Sequence, residues 1–299
     1  MKLASYAIFQ SGIAVSFRDK NMKNIARSKE IALVTGASSG MGKVIAIRLL
    51  QDGFDVIAAA RRTEQMSDLK KLGAEIVQLD ISKEERISAA VAEIESKFGG
   101  VDVLVNNAGF GLYGAVEDVS LADARYQFEV NLFGLARLTQ LLLPAMRKKG
   151  AGKIINITSM GGKIYTPLGA WYHASKHALE GWSDCLRLEV ADKGIQVVVV
   201  EPGLIRTDFG NLLSKHLRQY IGRSAYSDLT KKVADSTDRY TEKNLGSPPE
   251  VIADAVARAA NARSPKTRYV AGQYARMTIF MRKSFGDRLY DKMVMTMLK

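Results

Sequence analysis

The chain has 299 residues, 47% of them apolar, enough for one large α/β domain with a buried core. No run of about 18 uncharged apolar residues occurs, so no segment reads as a membrane-spanning helix. The net charge of +12 sits at the ends: residues 1–29 hold six Lys/Arg against Asp19, residues 262–299 hold nine against Asp287 and Asp291, and residues 30–261 are neutral. That partition speaks against a nucleic-acid groove built into the core. It reads as solvated tails, with weak attraction of the ends to an anionic membrane surface or partner as the functional alternative.

Residues 3–17 follow Lys2 and imitate a signal peptide in outline, but Gln10, several serines and the lack of a small-residue cleavage site weaken that reading. Met22 lies shortly before the first strand pattern, and residues 1–29 are expected to be an extension outside the fold. The single cysteine, Cys185, cannot form an internal disulfide and fits a reducing compartment, hence a cytoplasmic location.

Residues 31–34 read as a buried strand, Thr35 to Gly42 (TGASSGMG) as a glycine turn, and the residues after it as a helix. Glycines at 36, 40 and 42 leave room for a phosphate to approach the backbone. The free amides of the helix's first turn, with the helix dipole, then favour an anion there. This order suits a dinucleotide pyrophosphate, although the spacing G-x-x-x-G-x-G differs from the usual G-x-G-x-x-G.

Residues 55–60 form the next strand pattern and end in Ala59-Ala60-Arg61-Arg62. An acidic residue at this strand end binds ribose hydroxyls in dinucleotide folds, whereas arginine accommodates a 2′-phosphate, so NADP(H) is favoured over NAD(H). Two surface arginines opening a helix are the plainer alternative, and the helix dipole opposes them there. A helix over 63–72, a strand over 75–79, a helix over 83–98 and a strand over 101–105 follow. Then come a long helix from about 120 to 149, a strand over 153–158, a second long helix over 168–192 and a strand over 195–200. Such alternation predicts a doubly wound, Rossmann-like parallel sheet with helices on both faces.

Beyond Pro202 the rhythm breaks. Residues 203–245 are polar and read as loop plus short helices over the site. Ser247-Pro248-Pro249-Glu250 is a helix start, and its helix runs to about 262. Residues 267–270 read as a last strand. Residues 30–272 are thus expected to be one dinucleotide-binding catalytic domain. Residues 273–299, alternating apolar and basic side chains, read as an amphipathic helical extension packed on it, more in keeping with packing or subunit contact than with a membrane anchor.

Tyr172 and Lys176 (YHASK) stand at i and i+4, on one helix face. Ser159 lies at the carboxyl edge of a buried strand, where open parallel sheets bind ligands. A phenol with pKa near 10 needs a nearby cation to serve as an acid or base at neutral pH, and Lys176 could lower it. The Ser159 hydroxyl could hold a substrate oxygen beside Tyr172. The plainer alternatives are a Tyr and Lys helix-face pair and an ordinary strand-end hydroxyl. No metal is expected: His173, His177, His216 and Cys185 make no convincing ligand set.

With TGASSGMG at 35–42, AARR at 59–62, LD at 79–80, NNAG at 106–109, Asn131, Ser159, YHASK at 172–176 and PGLIRT at 202–207, the chain resembles the short-chain dehydrogenase/reductase family over roughly residues 30–208. The resemblance implies reversible hydride transfer between NADP(H) and a carbonyl/alcohol pair. It makes Asn131, Ser159, Tyr172 and Lys176 the catalytic tetrad, with Asn131 holding a water in a proton relay to the lysine. It assigns the cofactor to the turn residues Gly36, Ser38, Ser39, Gly40, Met41 and Gly42, and to Asp80 with Ile81 at the adenine. Asn107 and Ala108 line the adenosine side. Arg61, with Arg62 as a weaker candidate, takes the 2′-phosphate, while Pro202, Gly203 and Thr207 meet the carboxamide. The turn departs from some NADP(H) members in having Ser39 where they carry a basic residue.

The C-terminal part is more loosely similar to the hydroxysteroid and retinol dehydrogenase branch, which implies a lipophilic carbonyl or alcohol. Ser159 and Tyr172, with Phe110 and Met160, would meet that substrate, and Leu112, Tyr113 and Trp171 would add apolar lining. The family also implies a homodimer or homotetramer formed through the two long helices. A catalytically silent NADP(H)-binding sensor of the same fold is the alternative function.

Overall fold

The computed structural model describes residues 29–298. Of the extension expected over residues 1–29, residues 1–28 lie outside the described residues. Seven strands form one sheet, all pairs parallel, in the order β3-β2-β1-β4-β5-β6-β7. They are β1 (Ile31–Thr35), β2 (Asp55–Ala60), β3 (Glu75–Gln78), β4 (Val103–Asn106), β5 (Gly152–Ile157), β6 (Ile195–Pro202) and β7 (Arg268–Ala271). The order reverses between β1 and β4, which opens a crevice at their carboxyl ends, the position at which such sheets receive ligands.

Both faces of the sheet are covered, which is why its strands are apolar without alternation. On one face Ala32, Val34, Val56 and Ala58 pack against α1 (Gly40–Gln51) and α9 (Glu250–Asn261). On the other, Leu33, Ile57, Leu104 and Ile154 pack against α3 (Glu84–Phe98), α5 (Gly134–Lys149) and α6 (Ala170–Glu189). A short α2 (Ser67–Lys71) follows a 3₁₀ turn at Thr63–Met66.

The long helix expected over 120–149 is three pieces. Ser120 caps α4 (Leu121–Phe128) by accepting from Asp123 N–H at 3.1 Å, a π-turn spans Glu129–Phe133, and α5 follows. The inserted π-turn keeps the apolar rhythm nearly continuous, so periodicity alone does not reveal it. The second long helix starts two residues late, at Ala170, because Leu168 adopts a left-handed backbone (φ 65°). Residues 203–245 contain α7 (Phe209–Arg218) and α8 (Ser227–Glu242), which pack on each other above the carboxyl edge of the sheet. The last helix, α10 (Ala275–Thr296), bends at Gly286, whose φ is 71° and ψ 177°. Only Ala275 and Tyr290 of α10 are fully buried.

Candidate active site

The glycine turn closes β1 onto α1. Gly36 and Gly40 have positive φ, and Ser39 is the helix N-cap but makes no side-chain cap bond. Ser39 and Gly40 are exposed, Ser38 and Met41 are half-buried, and the first turn of α1 carries no acid. Its amides are thus uncompensated donors of the kind that hold a pyrophosphate. A Cβ on Gly42 would lie 2.3 Å from Gly36 O and 2.4 Å from Asn107 Nδ2, so the missing side chain lets the helix press onto the strand.

Asn107 and Ala108 fix this turn from β4. Thr35 Oγ1 accepts from the amides of both at 3.0 Å, and Asn107 Nδ2 donates to Thr35 O at 2.9 Å. Asn107 Oδ1 is buried beside the turn with no partner among the described residues. Thr207 comes in from the other side, its methyl 3.7 Å from where a Cβ on Gly40 would stand. Arg61 is exposed at the end of β2 and donates to Tyr126 Oη at 3.1 Å. Asp80 has one oxygen tied to Ser82, through the amide at 3.0 Å and the hydroxyl at 2.8 Å; Ile81 beside it is buried. Pro202 and Gly203 leave β6 against β7, where Gly203 N–H donates to Ala271 O at 2.8 Å.

The four residues expected to form a tetrad lie near the carboxyl end of β5. Ser159 Oγ accepts from Gly161 N–H at 3.0 Å and faces the Tyr172 phenol. Burial pushes Tyr172 above its ordinary value, and the bond from Ser159 opposes this. The expected depression of this phenol by Lys176 is not what the structure presents. The Lys176 ammonium donates to Ile157 O at 3.0 Å and is itself pushed down to about 8 by burial, with Glu180 one turn further on opposing. A single acceptor leaves two of its N–H groups available to a ribose.

Asn131 sits inside the π-turn, fully buried. It clamps the loop after β4 to α6: Nδ2 donates to Phe110 O (2.9 Å) and Ser175 Oγ (3.1 Å), and Oδ1 accepts from Phe110 N–H (3.0 Å). Both side-chain N–H groups are spent in this way, so a water relay through Asn131 would need an oxygen acceptor, not the amide donors. The Phe110 ring turns toward Tyr126 (centroids 5.5 Å apart) rather than toward Tyr172. Met160 follows Ser159 and accepts from Thr278 Oγ1 of α10 at 3.6 Å. Leu112 and Tyr113 are buried, and Trp171 packs with Leu112.

Two further residues matter here. Phe209, the first residue of α7, lays its ring 5.7 Å from that of Tyr172 and would strike a Cβ on Gly111 at 2.4 Å. Gly111 is therefore the slot that seats this ring over the site. His173, read as a helix-face residue, is buried and pins residues 161–166 under Tyr172. Neither contact could be inferred from local periodicity, since each joins segments separated by a loop of irregular path.

A Rossmann-like sheet, a glycine turn on an open helix N-terminus and a Ser, Tyr and Lys cluster at the strand ends define a class of nucleotide-dependent oxidoreductase fold. The chain belongs to the short-chain dehydrogenase family: the family's model, "short chain dehydrogenase", matches residues 30–218. It is similar to the uncharacterized oxidoreductase YusZ of Bacillus subtilis, with 37% identity over 268 residues, 86% of this chain and 94% of the relative. Among solved structures it is similar to a short-chain dehydrogenase from Streptomyces avermitilis (36% identity, TM-score 0.75, 86% of this chain and 94% of that one). It is also similar to the closed form of a serine dehydrogenase complexed with NADP+ (30% identity, TM-score 0.69, 81% and 94%). The chain is an oxidoreductase of this family, whose fold binds a nicotinamide cofactor.

Proposed function

We propose that the chain is an NADP(H)-dependent oxidoreductase that interconverts a carbonyl and a primary or secondary alcohol on a lipophilic small molecule. The observation that carries this reading is the meeting of Ser159, Tyr172 and Lys176 at one strand end, with Asn131 bracing the loop beside them. Residues of the glycine turn, with Thr207, would hold the pyrophosphate. Arg61 would meet the 2′-phosphate, with Tyr126 steering its guanidinium. Asp80 and Ile81 would meet the adenine, and Pro202 and Gly203 the carboxamide. A bound NADPH supplies the hydride.

The protein's share of the chemistry is positioning and proton transfer. Ser159 bonds the carbonyl oxygen and holds it beside the Tyr172 phenol. Because burial raises Tyr172, the phenol keeps its proton at neutral pH and can give it to that oxygen. Lys176, pushed down to about 8, sits close to the working pH and can pass a proton back to the tyrosine. Tyr113, Met160 and Phe209 supply apolar walls, which favours a lipophilic substrate. Exposed Leu121, Phe133 and Leu188 on the outer faces of α4, the π-turn and α6 support pairing of subunits through these helices.

NADPH oxidation measured against a panel of ketones and aldehydes, steroids and retinal included, tests the reading. Tyr172→Phe should lower kcat by about 10²- to 10⁴-fold. Arg61→Ser should raise the KM for NADPH by roughly tenfold or more while leaving NADH little changed, since it removes one charge-assisted contact. Turnover retained in Tyr172→Phe would refute the acid role. Equal use of both cofactors, unaltered by Arg61→Ser, would refute the NADP(H) assignment.

A further inference from the structure

The helix α10 carries a surface that neither the sheet nor the catalytic cluster explains. Its two halves, before and after Gly286, turn their inner sides to one residue. Tyr165 Oη donates to Asp291 at 2.8 Å, Tyr290 Oη donates to Tyr165 O at 3.2 Å, and the Arg282 guanidinium lies 5.1 Å from the Tyr165 ring centroid. Of the two acids of α10, Asp291 meets Tyr165 and Asp287 pairs with Arg282, so neither offsets the helix's other cations. The outer side is left with cations and large apolar groups. Arg276, Lys283, Arg288 and Lys292 are exposed and have no ion-pair partner among the described residues. Met277, Phe280, Phe285, Leu289 and Met295 lie among them, each about half exposed, and Phe280 and Phe285 meet edge to face just before the bend.

The spacing is regular in both halves. Arg276, Phe280 and Lys283 stand at i, i+4 and i+7, and Arg288, Lys292 and Met295 repeat that interval after the bend. Each half therefore presents one outward face that carries both cationic and apolar side chains. We propose that this face of α10 lies on the surface of a bilayer containing anionic lipid. Such a surface offers a plane of negative charge with hydrocarbon directly beneath it. Long cationic stems can reach that plane while Phe280, Phe285 and Leu289 enter the acyl boundary. A second copy of the same face is a poor occupant. In a two-fold contact it would oppose four unpaired cations to four unpaired cations. Through its inward side the same helix adjoins the proposed catalytic cluster, since Thr278 of α10 donates to the sulfur of Met160, the residue after Ser159. A lipophilic substrate could then pass from the bilayer to the site over a short path. That consequence rests on the proposed oxidoreductase reading, whereas the membrane contact does not.

Sedimentation of the full chain with vesicles of phosphatidylcholine, alone or mixed with phosphatidylglycerol, tests the contact without any activity readout. Each Lys or Arg near an anionic surface contributes about fivefold to partitioning. The native chain should bind the mixed vesicles at least about tenfold more tightly than the neutral ones, and the preference should fade at high salt. Lys283→Gln with Arg288→Gln should lose roughly 25-fold of binding to the mixed vesicles. Phe280→Ser with Leu289→Ser should lose it as well, with thermal midpoints in both variants close to native because all four side chains are exposed. Absence of native binding would overturn the proposal. So would equal binding by native and variants, which would move the attraction to the basic residues of 1–28. A change in oligomeric mass with no change in vesicle binding would assign the face to a second copy and overturn it too.

Discussion

The neighbours of His173 settle its tautomer. The Thr166 backbone N–H, 3.1 Å from Nε2, can only donate, so Nε2 accepts; Nδ1 then carries the proton and donates to Gly161 O at 2.9 Å. A second proton would face the Thr166 amide inside a pocket also walled by the Tyr113 and Tyr172 rings. Burial accordingly pushes His173 down from 6.5 to about 4, His177 adds to this, and the Gly161 bond opposes it. The neutral ring is favoured in the folded chain, so its stabilisation is full above pH 6.5 and is lost as pH falls toward 4. A shift of this size corresponds to about 3 kcal/mol. Urea unfolding of native protein and His173→Gln should therefore show a stability gap at pH 7 that narrows by about that amount at pH 4. A gap independent of pH would remove His173 from the account. At this scale the sequence was legible where backbone chemistry is local, as at Gly36 and Gly40. It was silent where a side chain such as His173 reaches a segment that folds back from ten residues away.

Elements were legible in proportion to how much of their burial is periodic. The strand at 55–60 and the helix following Pro249 were expected close to their observed limits, because an unbroken apolar run or a proline-led start marks them. The break of the long helix at Glu129–Phe133 was not, since a π-turn leaves apolar residues on nearly the same face. Residues 203–245 were read as loop with short helices, and α8 is in fact 16 residues long. Its inward side chains, Val233 and Ala234, meet α7 rather than the sheet, forming a small cluster with Leu213, Leu217 and Tyr113. This helical pair is tied to the proposed active site through Phe209 and Tyr113, whose rings lie 5.7 and 5.6 Å from that of Tyr172. Phe209→Ala should remove one apolar wall without touching the proton-transfer groups. The KM for a lipophilic carbonyl should rise by roughly tenfold, in keeping with the loss of a partly exposed aromatic contact. The change in kcat should be smaller. A fall in kcat with KM unchanged would instead make the ring a support for Tyr172.

On the scale of the whole molecule, the alternation of strands and helices was enough to predict the sheet, but not the polar group that binds its last strand. Arg268 of β7 reaches Glu180 Oε2 (3.0 Å) and Asp184 (2.7 Å) on α6 and Glu201 Oε1 (3.3 Å) on β6. Lys163 also pairs with Glu180 at 2.8 Å, and Thr158 Oγ1 donates to Glu180 Oε1 at 2.6 Å. Contacts such as that of Arg268 with Glu180, 88 positions apart, leave no trace in local periodicity. Burial and then the neighbouring Glu180 carboxylate push Glu201 well above the usual carboxylate range, so the cluster holds its charge only with its cations in place. Arg268→Met would leave Glu180 and Glu201 facing each other with Lys163 as their remaining close cation. The loss should be about 3–5 kcal/mol at pH 8, as for other buried pairs broken from one side. The Glu201 carboxyl, already raised by burial, would then lose a neighbouring cation and titrate higher still in the folded chain than in the unfolded one. Folding would take up protons as the pH falls, and the deficit should shrink by pH 5. Arg268→Lys, with one point charge in place of a planar fork, should fall between the two. Chemical unfolding of the three proteins at both pH values measures this. A deficit of equal size at pH 5 and pH 8 would show that Arg268 holds β7 by packing and not by charge.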